Sequence, residues 1–196
     1  MNILIIYCHP SEKSYTFQIL EMLKQLLLSQ KWNVEVSDLY AVDFQSDMTE
    51  AEYEREGFAN LELAIPEDVL KEHTKIEKAD CIIFLYPVWW SDCPAKLKGW
   101  FDRVYSVGYA YGQKPNQASM KTIKYGLVIC TAGHPNSSLN ETGISQSMQT
   151  IMLDDRLGKR FENKEMLILG GTTVFSEDLK QIHKNQIEKL IDKIKE

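Results

Sequence analysis

The chain has 196 residues, 44% of them hydrophobic, and a formal net charge of −6 at pH 7. That length fits one domain, residues 1–196, with enough apolar material for a single core, which excludes a disordered chain. The acidic balance, with Lys and Arg scattered, argues against a nucleic-acid partner; no apolar run reaches the roughly 18 residues of a membrane span and Met1–Ile5 has no basic leader, so a cytoplasmic protein is expected.

In chain order, Asn2–Tyr7 reads as a first strand, Cys8–Ser14 as a loop, and Tyr15 to about Gln30 as a helix with Phe17, Leu20, Leu23 and Leu27 on one face. Trp32–Ser37 reads as strand two. Thr49-Glu50-Ala51-Glu52 has the form of a capping box and opens a short helix, and Pro66–Lys78 forms another. Asp80–Tyr86 is strand three, with Cys81–Leu85 the unbroken apolar run of a parallel strand covered on both faces. Pro94 suits the first position of a helix that turns Leu97, Trp100, Phe101 and Val104 to the core. Thr122–Cys130 reads as strand four, Ser145 to about Asp155 as a helix, and Met166–Val174 as strand five, with Gly170-Gly171 inside it. Ser176 caps a final helix whose positive end carries Glu177 and Asp178 and whose buried face is Leu179, Ile182, Ile187, Leu190, Ile191 and Ile194. Cys8, Cys81, Cys93 and Cys130 show no CxxC spacing and read as free, mostly buried thiols.

Five apolar strands alternating with helices imply an α/β fold: a doubly wound, five-stranded parallel sheet with helices on both faces. With strand order 2-1-3-4-5, the loops after strands one, three and four converge at the edge where such sheets bind ligands. The first loop brings Ser14, Thr16 and free backbone N–H groups to a helix N-terminus, suited to a phosphate, although Ser14 also suits a plain helix cap and His9 a structural hydrogen bond. The second, Pro87-Val88-Trp89-Trp90-Ser91, offers indole surface for a flat heteroaromatic ring, or two rings that roof the core. In the third, Thr131-Ala132-Gly133-His134, Gly133 allows close backbone approach and Thr131 supplies a hydroxyl. The Tyr105–Lys121 segment is long for a connection and reads as functional. No GxGxxG, Walker A, GxSxG or HExxH pattern occurs. No local ligand spacing turns Cys8, His9, Cys130 and His134 into a metal site, so none is expected.

His9-Pro10 through Ser14-Tyr15-Thr16, Asp38-Leu39-Tyr40, Tyr86–Trp90, the Pro94–Val104 block and Gly108–Tyr111 together resemble the flavodoxin-like NAD(P)H dehydrogenase (quinone) and NAD(P)H oxidoreductase family. The resemblance implies a non-covalent flavin, FMN or FAD, with His9, Lys13, Ser14, Tyr15 and Thr16 at its phosphate and ribityl chain. It places Pro87, Val88, Trp89 and Trp90 beside the isoalloxazine, and Thr131, Ala132, Gly133 and His134 in the third flavin loop. It also implies a homodimer in which Tyr111 lines the partner's pocket, and ping-pong transfer of two electrons from NAD(P)H to a quinone-like acceptor. Two departures stand out. Gly133 is followed by His134 where many members have a second glycine, and the Tyr and His that stabilise reduced flavin in some quinone reductases fall on Ser138 and Ile144. His134 is therefore the candidate replacement and, with Tyr111, the expected catalytic residue. The chain lacks the C-terminal extension of longer members, which leaves FMN and FAD both open. The family also includes ancillary subunits of potassium efflux transporters, an alternative role with a membrane partner. A one-electron flavodoxin carrier is the remaining alternative, but its T-x-T-G-x-T loop is missing.

Overall fold

The strands form where apolar runs allow two-sided burial. β1 (Asn2–Tyr7), β2 (Asn33–Asp38), β3 (Cys81–Pro87), β4 (Ile123–Thr131) and β5 (Phe161–Leu169) make one parallel sheet in the order β2-β1-β3-β4-β5. The computed structural model describes residues 1–112 and 117–195. Residues 113–116 of the Tyr105–Lys121 segment, and Glu196 at the end of the expected domain, lie outside them.

Alternation along the central strands sends successive side chains to two separate cores. Ile3, Ile5 and Tyr7 of β1 join Cys81, Ile83 and Leu85 of β3 under α1 (Tyr15–Ser29) and α7 (Glu177–Asp192). Leu4 and Ile6 join Ile82, Phe84 and Tyr86 on the other face, under α3 (Glu67–Lys78) and α4 (Ala95–Val104). That second core also takes Leu139 from a short helix, Asn136–Glu141, and Met148 from another, Ile144–Gln149. A π-helical segment, Thr150–Leu157, continues from the latter. We label the two short helices α5 and α6, and the helix Glu50–Gly57, between β2 and α3, α2.

Several expected boundaries shift. Strand five runs from Phe161 to Leu169, not 166 to 174. It is an edge strand, so its first half tolerates exposed Glu162 and Asn163 and lacks an apolar signature. Gly171, at φ +85°, ends it, and Thr172 and Thr173 turn back to the end of β4. Pro94 occupies the cap position, with ψ 150°, and the helix starts one residue later. The expected helix at 145–155 is α6 plus the π-helical segment, and α5 precedes it. On α7, His183 is buried and Ile182 is half exposed. The inward stripe is 183, 187, 190, 191 and 194, a 3.6-residue period that leaves Ile182 out. Thr49 and Glu52 form the capping box, and Ser14 and Ser176 cap their helices through Phe17 N–H and Leu179 N–H.

The Pro94–Val104 block is a fastening rather than a ligand site. Lys96 Nζ donates to the Phe44 carbonyl at 2.7 Å, and Arg103 donates to the Gln45 carbonyl, Glu52 and Asp68. The indole N–H of fully buried Trp100 donates to Glu72 at 2.9 Å. Gly99 admits the Ser46 carbonyl where a Cβ would lie 2.1 Å from its oxygen. These three side chains, with the close approach at Gly99, hold the 44–46 segment, α2 and α3 against α4.

Candidate functional site

Register brings the three loops together. Tyr7 pairs with Leu85, Pro87 with Thr131, and Thr131 with Leu169, so β1, β3, β4 and β5 end almost level. The loops are then joined to one another. Thr16 Oγ1 and Thr131 Oγ1 share a buried hydrogen bond of 2.8 Å, linking the first loop to the third. The Val88 N–H donates to the Thr131 carbonyl at 2.8 Å, linking the second to the third. The His9 ring meets Trp89 edge to face at 6.1 Å, linking the first to the second.

Between the second and third loops lies a cleft of about 750 Å³. Val88, Trp89, Trp90 and Ser91 line one side, and Ala132, Gly133, His134, Leu139 and Ile144 the other. Trp89 is 42% and Trp90 101% exposed, so neither ring roofs the core. Two adjacent exposed indoles are unusual, because each forgoes about 1.5–3 kcal/mol of apolar burial. They stand on a strained turn. Trp89 and Asp92 exchange backbone hydrogen bonds of 2.9 and 3.2 Å, while Trp90 and Ser91 take φ of 49° and 64°. That is the pattern of a two-residue type I′ turn, which glycine and asparagine favour, and a bulky residue there costs roughly 1–3 kcal/mol.

Asp92 and Arg156 hold that turn. The guanidinium of Arg156, on the π-helical segment, makes bonds of 2.8 and 3.0 Å to the two Asp92 oxygens. Burial pushes the Asp92 carboxyl up, but Arg156 and the Cys93 N–H hold it below its usual value. Neither residue carries a signal in the sequence. Thr172 and Thr173 were also missed; their N–H and hydroxyl groups donate to the Ala132 and Gly133 carbonyls and fix the third loop. The Gly170-Gly171-Thr172-Thr173 run marks this turn in the sequence, beyond the end of the strand at Leu169.

In the first loop the Ser14 hydroxyl is used as a cap, and His9 Nδ1 accepts from the Ser11 N–H. Burial lowers the His9 pKa, favouring this neutral form. The Tyr15 side chain turns away to α7, where its hydroxyl meets His183 Nδ1 at 3.0 Å and its ring packs on Phe175. Lys13 is exposed. The first turn of α1 has no acidic residue, unlike α2, α3 and α7, and the N–H groups of Tyr15 and Thr16 have no intrahelical acceptor. Beside Ser14, the buried Tyr7 hydroxyl has no hydrogen-bond partner, and burial pushes its pKa up to about 12. Tyr111 lies outside the cleft. Its hydroxyl donates to Glu56 of α2 at 3.0 Å, and burial, together with that carboxylate, raises its pKa to about 12. Among the described residues no group of three or more His, Cys, Asp or Glu is placed to hold a metal ion, and no helix is long and apolar enough to cross a membrane.

A family model described as a flavodoxin-like fold matches residues 1–190. The chain belongs to this flavodoxin-like family. Among solved structures it is similar to an NAD(P)H:quinone oxidoreductase from Methanothermobacter marburgensis, 41% identical, with a TM-score of 0.90 and coverage of 96% of this chain and 94% of that one. It is 37% identical to NAD(P)H dehydrogenase [quinone] 1 of Cavia porcellus over 76% of this chain and 59% of the relative. It is 30% identical to a ribosyldihydronicotinamide dehydrogenase-like protein of Penicillium crustosum over 78% of this chain and 65% of the relative. The flavodoxin-like chain thus spans less than two thirds of the length of these two relatives.

Proposed function

We propose that this flavodoxin-like protein is a flavin-dependent NAD(P)H oxidoreductase that reduces quinone-like acceptors. The observation that carries the reading is the cleft between two exposed indoles and the third loop, at the strand ends where doubly wound sheets take ligands. The residues present fit a flavin, FMN or FAD. The acid-free N-terminus of α1, with Tyr15 and Thr16 N–H groups, exposed Lys13 and the unpartnered Tyr7 hydroxyl near Ser14, suits its phosphate. Pro87, Val88, Trp89 and Trp90 would flank the ring system, opposite Ala132, Gly133 and His134. The Val88 and Trp89 N–H groups already have backbone acceptors, so the indole faces, not these amides, supply the second loop's contact. When bound, the flavin supplies hydride acceptance from NAD(P)H and two-electron delivery to the acceptor, in a ping-pong cycle. Among the described residues that line the cleft, His134 is the one with an ionisable side chain, it is exposed, and in this reading it would stabilise negative charge near the ring.

A homodimer accompanies this reading. Tyr53, Phe58 and Leu61, on α2 and the turn after it, are exposed, as is Tyr111, which bonds to Glu56 of α2, and these apolar groups suit a second copy. Tyr111 would then reach the partner's cleft. Reconstitution with FMN or FAD, followed by NAD(P)H oxidation with and without a quinone, tests the enzyme reading. A flavin spectrum with parallel double-reciprocal plots is expected, whereas failure to retain flavin, or reduction without turnover, refutes it. Sedimentation of the purified protein at monomer mass would refute the dimer.

A further inference from the structure

We propose that Arg156 is a positioning residue for the aromatic wall of the cleft, acting through Asp92. The inference rests on the flavin reading for its consequence but not for its geometry. The Trp89–Asp92 turn takes left-handed backbone at Trp90 and Ser91, so its own sequence does not favour it. Something outside the turn must hold it. Arg156 does so with two parallel hydrogen bonds to Asp92, the fork geometry that fixes a carboxylate in orientation as well as place. Arg156 is itself immobilised: the residue is 7% exposed, and its guanidinium lies 5.2 Å from the Phe101 ring centroid, with Cys93 Sγ and Met152 Sδ at 3.3 and 3.2 Å. Asp92 Oδ1 also accepts from the Cys93 N–H at 2.6 Å, locking the exit of the turn. Arg156 sits on a π-helical segment that continues α6, and α6 begins at Ile144, on the opposite wall. One continuous helical segment therefore contributes Ile144 to one wall and clamps the other, which ties the two walls together. Isolated π-helical turns are frequent at functional sites.

The test uses the full chain labelled with 5-fluorotryptophan, its four indole signals assigned with Trp89→Phe and Trp90→Phe. In Arg156→Lys and in Asp92→Asn, the ¹⁹F signals of Trp89 and Trp90 should move without flavin present, while those of Trp32 and Trp100 stay. The dissociation constant for FMN, titrated by flavin fluorescence, should rise roughly 10-fold in both variants. Unmoved Trp89 and Trp90 signals, or movement of all four together, would overturn the clamp. A displaced turn with unchanged FMN affinity would overturn its consequence for the cleft. Wild-type protein that binds neither FMN nor FAD, with the turn still displaced in the variants, would refute the flavin reading and leave the clamp standing.

Discussion

Replacing Gly99 with alanine should destabilise the protein, against the usual sign of that exchange. In an ordinary helix interior alanine is favoured by about 1 kcal/mol, through the backbone entropy it removes from the unfolded chain. At this position a Cβ would lie 2.1 Å from the Ser46 carbonyl oxygen and 2.7 Å from its Cα, where real contacts stay beyond 3.0 Å. The obstacle is backbone, so the segment around Ser46 must withdraw by about 1 Å. It is not free to do so, because Lys96 and Arg103 donate to the neighbouring Phe44 and Gln45 carbonyls at 2.7 and 2.6 Å. Hydrogen bonds to charged donors contribute roughly 1.5–3 kcal/mol each, and overpacking alone costs roughly 1–3 kcal/mol. Loss of one such bond plus overpacking outweighs the helix gain and leaves a net loss of about 2–4 kcal/mol. For a chain of this size that lowers Tm by roughly 5–15 °C, measured by circular dichroism on heating and checked in urea. An unchanged or raised Tm would show that the 44–46 segment yields freely, and the fastening role assigned to the Pro94–Val104 block would be wrong.

Trp90→Gly should separate stability from function: relief of the left-handed backbone raises stability by about 1 kcal/mol in urea titration, while flavin-dependent quinone turnover falls. Loss of both would refute the view that this ring faces a ligand and not the core. Thr131→Val removes the buried bond to Thr16 and leaves that hydroxyl unpaired, so FMN binding should weaken roughly 5- to 10-fold at a stability cost of about 1–2 kcal/mol. Unaltered affinity would mean that the first and third loops hold their places independently. Stability should also fall as pH drops from about 7 to 5. Burial depresses the pKa of His73 and of His183, so below the ordinary value near 6.5 the unfolded chain binds more protons than the folded one. Their contribution is fully present above that value and is lost as pH falls through the folded pKa. The depressed carboxyls of Asp68 and Asp92 act only at lower pH. His73→Gln should flatten the pH dependence of urea midpoints across this window; an unchanged slope would assign the effect elsewhere.

Where burial alone decides structure, the residues announce it. Cys81–Leu85 reads as a covered strand because nothing polar interrupts it, and Thr49–Glu52 reads as a helix start because both reciprocal bonds are local. β5 misleads for the converse reason: as an edge strand its first half meets water, while the apolar residues after it belong to a turn made by Gly170 and Gly171. Convergence of the three loops follows from topology and was legible. The Thr16–Thr131 bond, however, joins residues 115 positions apart, and the Asp92–Arg156 pair residues 64 apart. Only the folded register brings such pairs together, so no local pattern marks them. Tyr15 shows a different limit: its motif position marks the residue, but nothing local marks that its side chain packs on Phe175 and meets His183, leaving its backbone N–H at the loop.

The burial of Cys8, Cys81, Cys93 and Cys130 bears on the chemistry such a protein would face. Quinones are electrophiles that add to thiolates, and a catalyst that admits them beside a reactive cysteine would be arylated by its own substrate. Burial pushes the Cys8 and Cys93 thiols up to about 12 and also raises Cys81 and Cys130, so at neutral pH almost none is ionised. Cys93 follows directly on the turn that carries the two indoles, yet it lies behind the Arg156 guanidinium and faces the core. Among the described residues no cysteine lines the cleft, so a quinone admitted there in the proposed reaction would meet no thiolate.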